Sequence, residues 1–179
     1  IARLARAFGA RVLAVKRDLM HLADAGYRPA ELGDPEATQV ERIYPPQAVA
    51  SMAGLCDFLV VAAPLTAETR GLIGRTVFQH MKPTACLIDV SRGQVVDQEA
   101  LIEALRERRL AGAVLDVYPV EPPAADSPLW EMPNVILSPH VAGASGAYFE
   151  RAAAVFAENL RRYLADQPLL NRLDPRRGY

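Results

Sequence analysis

Short apolar runs recur along the chain and alternate with helical patterns and polar loops: RVLAV (11–15), ERIY (41–44), DFLVVAAP (57–64), ACLIDV (85–90), GAVLDV (112–117) and NVILSPH (134–140). DFLVVAAP and ACLIDV are apolar at consecutive rather than alternate positions, so both sides of each strand need cover. Strands of this kind, joined through helices, build a parallel sheet with helices on both faces. The fold class read from the sequence is α/β, a doubly wound parallel sheet.

The helices carry their own signals. Ile1, Leu4, Ala5 and Phe8 repeat at helical spacing, Arg3 and Arg6 lie on the other side, and Gly9 ends the segment. QAVASMAGLC (47–56) is helix-like. Asp97 can cap EALIEALRER (99–108), where Glu99 suits the positive helix end and Leu101, Ala104 and Leu105 form the inward stripe. On the last helix Phe149, Ala152, Ala153, Phe156, Leu160, Tyr163 and Leu164 share one face, which predicts that it packs along the domain for several turns. Residues 17–39 are polar and turn-rich. PVEPPAADSP (119–128) has linker composition but lies between two predicted strands, so it reads as a functional loop.

With 179 residues, 51% of them hydrophobic and 23% charged, the chain can bury the core of roughly one domain. Lys and Arg number 20 against 21 Asp and Glu, a formal net charge of -1 that leaves no basic surplus for nucleic-acid phosphates. No apolar run nears the roughly 20 residues that span a bilayer, and IARLARAFGA lacks the continuous apolar centre of a signal peptide. The expected location is cytoplasmic. Cys56 and Cys86 read as buried thiols, because two cysteines so far apart offer neither a disulfide framework nor a CxxC zinc site, and no metal site is expected.

In an open parallel sheet the ligand crevice lies beyond the carboxyl ends of the strands. Just past the predicted strand ends stand Lys16 and Arg17; Ala63, Pro64 and Leu65; Val90, Ser91 and Arg92; Asp116, with Glu121 beyond it; and Ser138, Pro139 and His140. That set suits reduction of a 2-oxo acid, which needs a cation for the substrate carboxylate, a proton donor for the carbonyl oxygen and a hydride. The planar fork of Arg92 can take the carboxylate bidentately and polarise the neighbouring carbonyl. An imidazole exchanges protons readily, which makes His140 the natural acid and base, and a Glu121 carboxylate beside it favours the imidazolium. A hydrolase built on Ser91, His140 and Asp116 is the rival from the same residues. It lacks the GxSxG elbow, and Ser91 is followed by Arg-Gly. His21 and His80 have no comparable placement and read as surface or structural.

Longer motifs carry a resemblance. CDFLVVAAPLTAETRGLIG (56–74), MKPTACLIDVSRGQVVDQEALIEAL (81–105), LAGAVLDVYPVEPP (110–123) and PNVILSPHVAGAS (133–145) resemble, in order, segments of the D-isomer-specific 2-hydroxyacid dehydrogenases. The resemblance implies a Rossmann-like fold and an oxidoreductase that uses NAD or NADP on a small D-2-hydroxy or 2-oxo acid. It implies Arg92, Glu121 and His140 as catalytic side chains, and cofactor contacts from Ala63, Pro64, Val90, Ser91, Asp116 and Gly143, with Arg92 and His140 beside them. It also implies a homodimer. The chain then divides into a dinucleotide-binding domain over residues 1–145 and a closing helix and tail over 146–179 that return toward a substrate domain. Two alternatives share the same cofactor domain: a non-catalytic NAD(H)-sensing corepressor-like protein, and a phosphite or formate dehydrogenase.

Several features depart from the family pattern. Asp89 stands where the family usually has Asn. Lys16 and Arg17 stand at the end of RVLAV, where NAD-using members place an acid for the ribose hydroxyls, so NADP with its 2′-phosphate is expected to be accepted. The family's glycine-rich phosphate loop and its first strand, which would lie between RVLAV and DFLVVAAP, are not in the sequence, nor is a substrate domain of roughly a hundred residues. These 179 residues alone are therefore expected to be inactive, and if they fold, something such as a swapped segment or direct pairing of the two strands is expected to fill the gap.

Overall fold

The computed structural model describes residues 1–23 and 33–175, so residues 24–32 of the turn-rich stretch and the last four of the expected tail lie outside the described residues. In chain order the elements are α1 (Ala2–Ala7), β1 (Leu13–Val15), β2 (Arg42–Tyr44), α2 (Val49–Ala53), β3 (Phe58–Val61), α3 (Arg75–His80), β4 (Cys86–Asp89), α4 (Gln98–Arg106), β5 (Gly112–Leu115), β6 (Val135–Leu137) and α5 (Tyr148–Leu164). Each apolar run singled out above contains a strand. Helix α3 was not legible in advance: RTVFQH is under two turns long, and its β-branched Thr76 and Val77 do not favour helix.

The chain forms two units, Pro46–Gly143 and a second made of Ile1–Pro45 with Ala144–Tyr179. The first holds a four-stranded, all-parallel sheet in the order β3-β4-β5-β6. Its register aligns Val61, Asp89, Leu115 and Leu137 in one row. One residue further, the amides of Val90, Asp116 and Ser138 donate to the carbonyls of Val61, Asp89 and Leu115 at 2.9–3.0 Å. The four strands therefore release their loops from a common edge.

The core is drawn from one side of this sheet and from α2, α3 and α4: Leu59, Val61, Leu87 and Leu115 are buried, as are Met52, Phe78, Leu101 and Leu105. Helix α4 starts as its sequence predicts, because the Asp97 side chain accepts from the Ala100 amide at 3.1 Å and satisfies one otherwise unpaired donor. The other side of β3 differs from expectation. Its run of apolar residues predicts burial on both faces, yet Phe58 is 65% and Val60 36% exposed, so the strand follows the alternation of a half-covered sheet. Cys56 and Cys86 are free and half-buried rather than buried.

The second unit holds the parallel pair β1-β2, in which Leu13 faces Arg42 and Val15 faces Tyr44. Strands β1 and β3, expected to flank a further strand, lie in separate sheets and do not pair with each other. On α5 none of the residues is buried, and Phe149, Phe156, Leu160, Tyr163 and Leu164 are exposed, so the predicted packing of this stripe is not seen among the described residues. The tail is tied to α5 by Asn159, whose Oδ1 accepts from Leu170 N at 2.7 Å and whose amide donates back to Leu170 O at 3.2 Å.

Leu87, fully buried within β4, is a direct test of this core. Leu87→Ala is expected to lose about 2–5 kcal/mol of stability, and Asp97→Ala about 1 kcal/mol through the cap. Urea unfolding checks both, and a Leu87→Ala midpoint equal to wild type would show that the sheet interior is assigned wrongly.

Candidate active site

Four loops leave the carboxyl edge of the larger sheet. Ala63 and Pro64 follow β3, Val90, Ser91 and Arg92 follow β4, Asp116 and Glu121 follow β5, and His140 follows β6. The first two loops line a cleft of about 470 Å³ walled by Ala62, Ala63, Pro64, Leu65, Val90, Ser91 and Arg92. Its β3 wall is fixed by threonines: Thr69 Oγ1 donates to Pro64 O at 2.6 Å and accepts from Thr66 N at 2.8 Å. Small side chains and open peptide groups give a wall against which a flat heteroaromatic ring can lie, at the place where parallel sheets bind nucleotides.

The β4 loop is organised by Asp89. This carboxyl is 2% exposed, and its Oδ1 accepts from both the amide of Ser91, at 3.0 Å, and its hydroxyl, at 2.6 Å. Burial raises its pKa; the two bonds from Ser91 oppose that, and the charge of Asp116 adds to it. An asparagine amide oxygen would accept the same two bonds, so the geometry at position 89 asks only for an acceptor oxygen. Ser91 in turn offers its carbonyl to Arg92 Nη1 at 2.6 Å. Because the Ser91 hydroxyl donates to Asp89 and His140 pairs with Glu121, the serine triad is not assembled.

The β5 and β6 loops are locked together by Asp116. Its carboxylate is 3% exposed; Oδ1 accepts from Ser138 Oγ at 2.6 Å and Val141 N at 2.9 Å, and Oδ2 accepts from Ala142 N at 2.8 Å. Burial pushes this carboxyl up, yet the bonds from Ser138, Ala142 and Val141 and the charge of His140 outweigh it, so its pKa is lowered. His140, between these anchors, has φ +55°, a left-handed backbone that a non-glycine residue adopts only when its surroundings impose it.

The fixed imidazole meets Glu121. His140 Nδ1 lies 2.8 Å from Glu121 Oε2, while Glu121 Oε1 accepts from Tyr118 N at 3.1 Å. The His140 bond is the main reason the Glu121 carboxyl sits below the ordinary range, followed by the Tyr118 amide, with the charge of Arg92 contributing. Arg92, Glu121 and His140 are all exposed, so they are open to a ligand. Sequence reasoning did not single out Ser138 or Tyr118 as supports, and it read Gly93 only as part of a motif.

Of the other expected positions, Gly143 belongs to the loop after β6, and Lys16 and Arg17 belong to the other unit. Gly143 is exposed at the end of the His140 loop, with open space where a side chain would be. Lys16 and Arg17 follow β1 in the other unit; Lys16 N extends the β1-β2 ladder to Tyr44 O at 3.0 Å, and Lys16 Nζ donates to Leu22 O at 2.5 Å. His21 pairs with Asp18 at 2.9 Å, and His80 Nδ1 bonds the Thr76 carbonyl at 2.8 Å, both on the surface. Among the described residues no metal-binding group of side chains occurs, and no helix is long and apolar enough to cross a membrane.

Residues 1–142 match the family model for the D-isomer specific 2-hydroxyacid dehydrogenase, NAD binding domain. A glyoxylate reductase of Thermococcus gammatolerans is 38% identical over 164 residues, covering 89% of this chain and 43% of that protein. Glyoxylate/hydroxypyruvate reductase B of Pectobacterium atrosepticum is 44% identical over 119 residues, or 66% of this chain and 37% of the relative. The chain thus spans less than half the length of these reductases. Among solved structures, a D-isomer specific 2-hydroxyacid dehydrogenase from Xanthobacter autotrophicus Py2, in complex with NADPH and MES, superposes with a TM-score of 0.76 at 32% identity, covering 99% of this chain and 81% of that one. An NADPH-dependent glyoxylate/hydroxypyruvate reductase from Sinorhizobium meliloti, in complex with NADP and sulfate, gives a TM-score of 0.80 at 29% identity, with coverages of 99% and 52%.

The depressed Glu121 pKa has a defined pH consequence. A carboxylate whose pKa is lowered on folding contributes stability that is present above its unfolded value and lost as pH falls through the folded one. Carbon-13 titration of Glu121 should therefore give a midpoint below the ordinary value of about 4.3, and His140→Ala should return it most of the way. A midpoint unmoved by His140→Ala would contradict the pairing.

Proposed function

Since the chain belongs to the D-isomer specific 2-hydroxyacid dehydrogenases through their NAD-binding domain, we propose that it serves the reversible reduction of a small 2-oxo acid to the D-2-hydroxy acid, with NAD or NADP as the redox partner. The observation that carries this reading is the Glu121–His140 pair at 2.8 Å, held on the same sheet edge as Arg92. The reductase relatives point to glyoxylate and hydroxypyruvate as the first substrates to test.

The chain's own groups divide the work. Arg92 binds the substrate carboxylate and polarises the adjacent carbonyl. Nδ1 of His140 is committed to Glu121, which leaves Nε2 to deliver a proton to the carbonyl oxygen in reduction and to remove it from the hydroxyl in oxidation. Glu121 fixes the ring and balances the charge of the imidazolium. Asp116 holds the backbone from which the imidazole projects. Ala63, Pro64, Val90 and Ser91 would supply the wall for the nicotinamide end of the cofactor, which when bound gives or accepts the hydride, and Gly143 is assigned to the cofactor by the family resemblance alone.

We assign NADP acceptance to Lys16 and Arg17, which follow β1 where a ribose-binding acid would repel a 2′-phosphate. An ammonium has three donors, so the bond from Lys16 to Leu22 O leaves others for a phosphate. NADP and NADPH in the two related structures support this reading. A cytoplasmic homodimer completes the proposal.

Cofactor oxidation with a panel of 2-oxo acids tests the function directly, measured on a protein in which these residues are joined to a glycine-rich phosphate loop and a substrate domain. His140→Ala is expected to lose about 10²–10⁴-fold in kcat with KM little changed, whereas Arg92→Ala should lose kcat and raise KM together. Full turnover by His140→Ala would sink the assignment of the proton carrier. In the same assay NADPH should be used at least as well as NADH, and Arg17→Ala should lower kcat/KM about tenfold for NADPH alone. A strong preference for NADH would refute the role of the basic pair.

A further inference from the structure

Tyr118 contributes no group to the chemistry above, yet it touches the supports of all three side chains that do. It is 7% exposed, just past the end of β5. A Cβ added to Gly93, the neighbour of Arg92, would lie 1.9 Å from the Tyr118 carbonyl carbon, 2.1 Å from its oxygen and 2.4 Å from Pro119 N. The β4 loop thus rests backbone to backbone on the Tyr118–Pro119 peptide, a contact that only glycine at 93 allows. The Tyr118 amide donates to Glu121 Oε1 at 3.1 Å. Its hydroxyl, shared between two carbonyls, lies 2.9 Å from Ser138 O and 3.0 Å from Leu115 O, so it ties the strand end that leads into His140 back onto β5.

We propose that Tyr118 is the positioning residue of this site, its peptide, amide and hydroxyl each setting one of the loops that carry Arg92, Glu121 and His140. This rests on the roles given to those residues above. The three contacts are separable. The peptide sets where Arg92 stands, the amide holds one oxygen of Glu121, and the hydroxyl sets where His140 meets the other. Burial raises the pKa of the phenol, which keeps the hydroxyl a donor across the working range.

Tyr118→Phe removes the hydroxyl contact alone, and Gly93→Ala displaces the peptide. Both are to be measured by thermal melting and carbon-13 titration of Glu121 in the purified chain, and by kcat and KM with NADPH and glyoxylate in a protein in which the chain is joined to a phosphate loop and a substrate domain. Tyr118→Phe should stay folded, lose about tenfold in kcat with KM within about twofold, and raise the Glu121 midpoint, because a displaced imidazole holds the carboxylate less well. In a His140→Ala background the same substitution should move the midpoint no further. Gly93→Ala should raise KM about tenfold and raise the Glu121 midpoint in both backgrounds, since it acts through the Tyr118 amide and on Arg92. A Tyr118→Phe protein with wild-type kcat and an unmoved midpoint would overturn the proposal, as would an equal shift with and without His140. The titrations need no turnover, so a wild-type protein that reduced no 2-oxo acid would count against the proposed function while Tyr118 was still decided.

Discussion

A carboxylate buried at the end of β5 can stay charged only if hydrogen-bond donors surround it, and supplying them to Asp116 shapes much of the site. The donors come from one stretch of chain, the Ser138 hydroxyl and the amides of Val141 and Ala142. For all three to reach the same carboxylate, the chain must turn between them, and the residue at the turn is His140 with its left-handed backbone. The strain at that residue is thus held by a charge that would otherwise be unpaired. The imidazole inherits a fixed origin from a solvation requirement at the end of β5, the strand next to β4, whose loop lines the cleft.

Three carboxyls near one sheet edge are tuned differently by what surrounds them. Asp89 is pushed up by burial and has two donors from one residue, while Asp116, equally buried, has three donors and is brought down. Glu121 is open to solvent and is lowered by its partners alone. The negative charge nearest the imidazole is therefore also the one most accessible to a ligand, and the buried pair serves the backbone.

What was legible in the sequence follows from how local the signals are. The strands could be read because apolar runs bounded by Pro, Gly and polar residues are a local pattern, and the parallel register then set the loops on one edge. Arg92, Glu121 and His140 could be named because strand ends in such sheets are where ligands bind, but their meeting depends on Asp116 and Tyr118, whose contacts span 20 or more residues. Helix α3 was too short to show a period, and RTVFQH has no capping side chain. The apolar residues of β3 and α5 were read as covered because hydrophobic patterns predict burial without saying what does the covering. The cofactor contacts came from resemblance alone, since Ala63, Pro64 and Val90 carry no chemistry of their own to betray them.

Gly93 bears on how such a site can change over evolutionary time. At position 89 one acceptor oxygen meets the need, which an amide would supply as well as an acid. Position 93 has no such latitude: every codon change away from glycine adds at least one carbon to a space already filled by the Tyr118–Pro119 peptide. Drift toward new substrates must therefore pass through the exposed residues around the cleft, while the joint between the β4 and β5 loops stays frozen. A lineage could exchange what Arg92 recognises far more readily than where Arg92 stands.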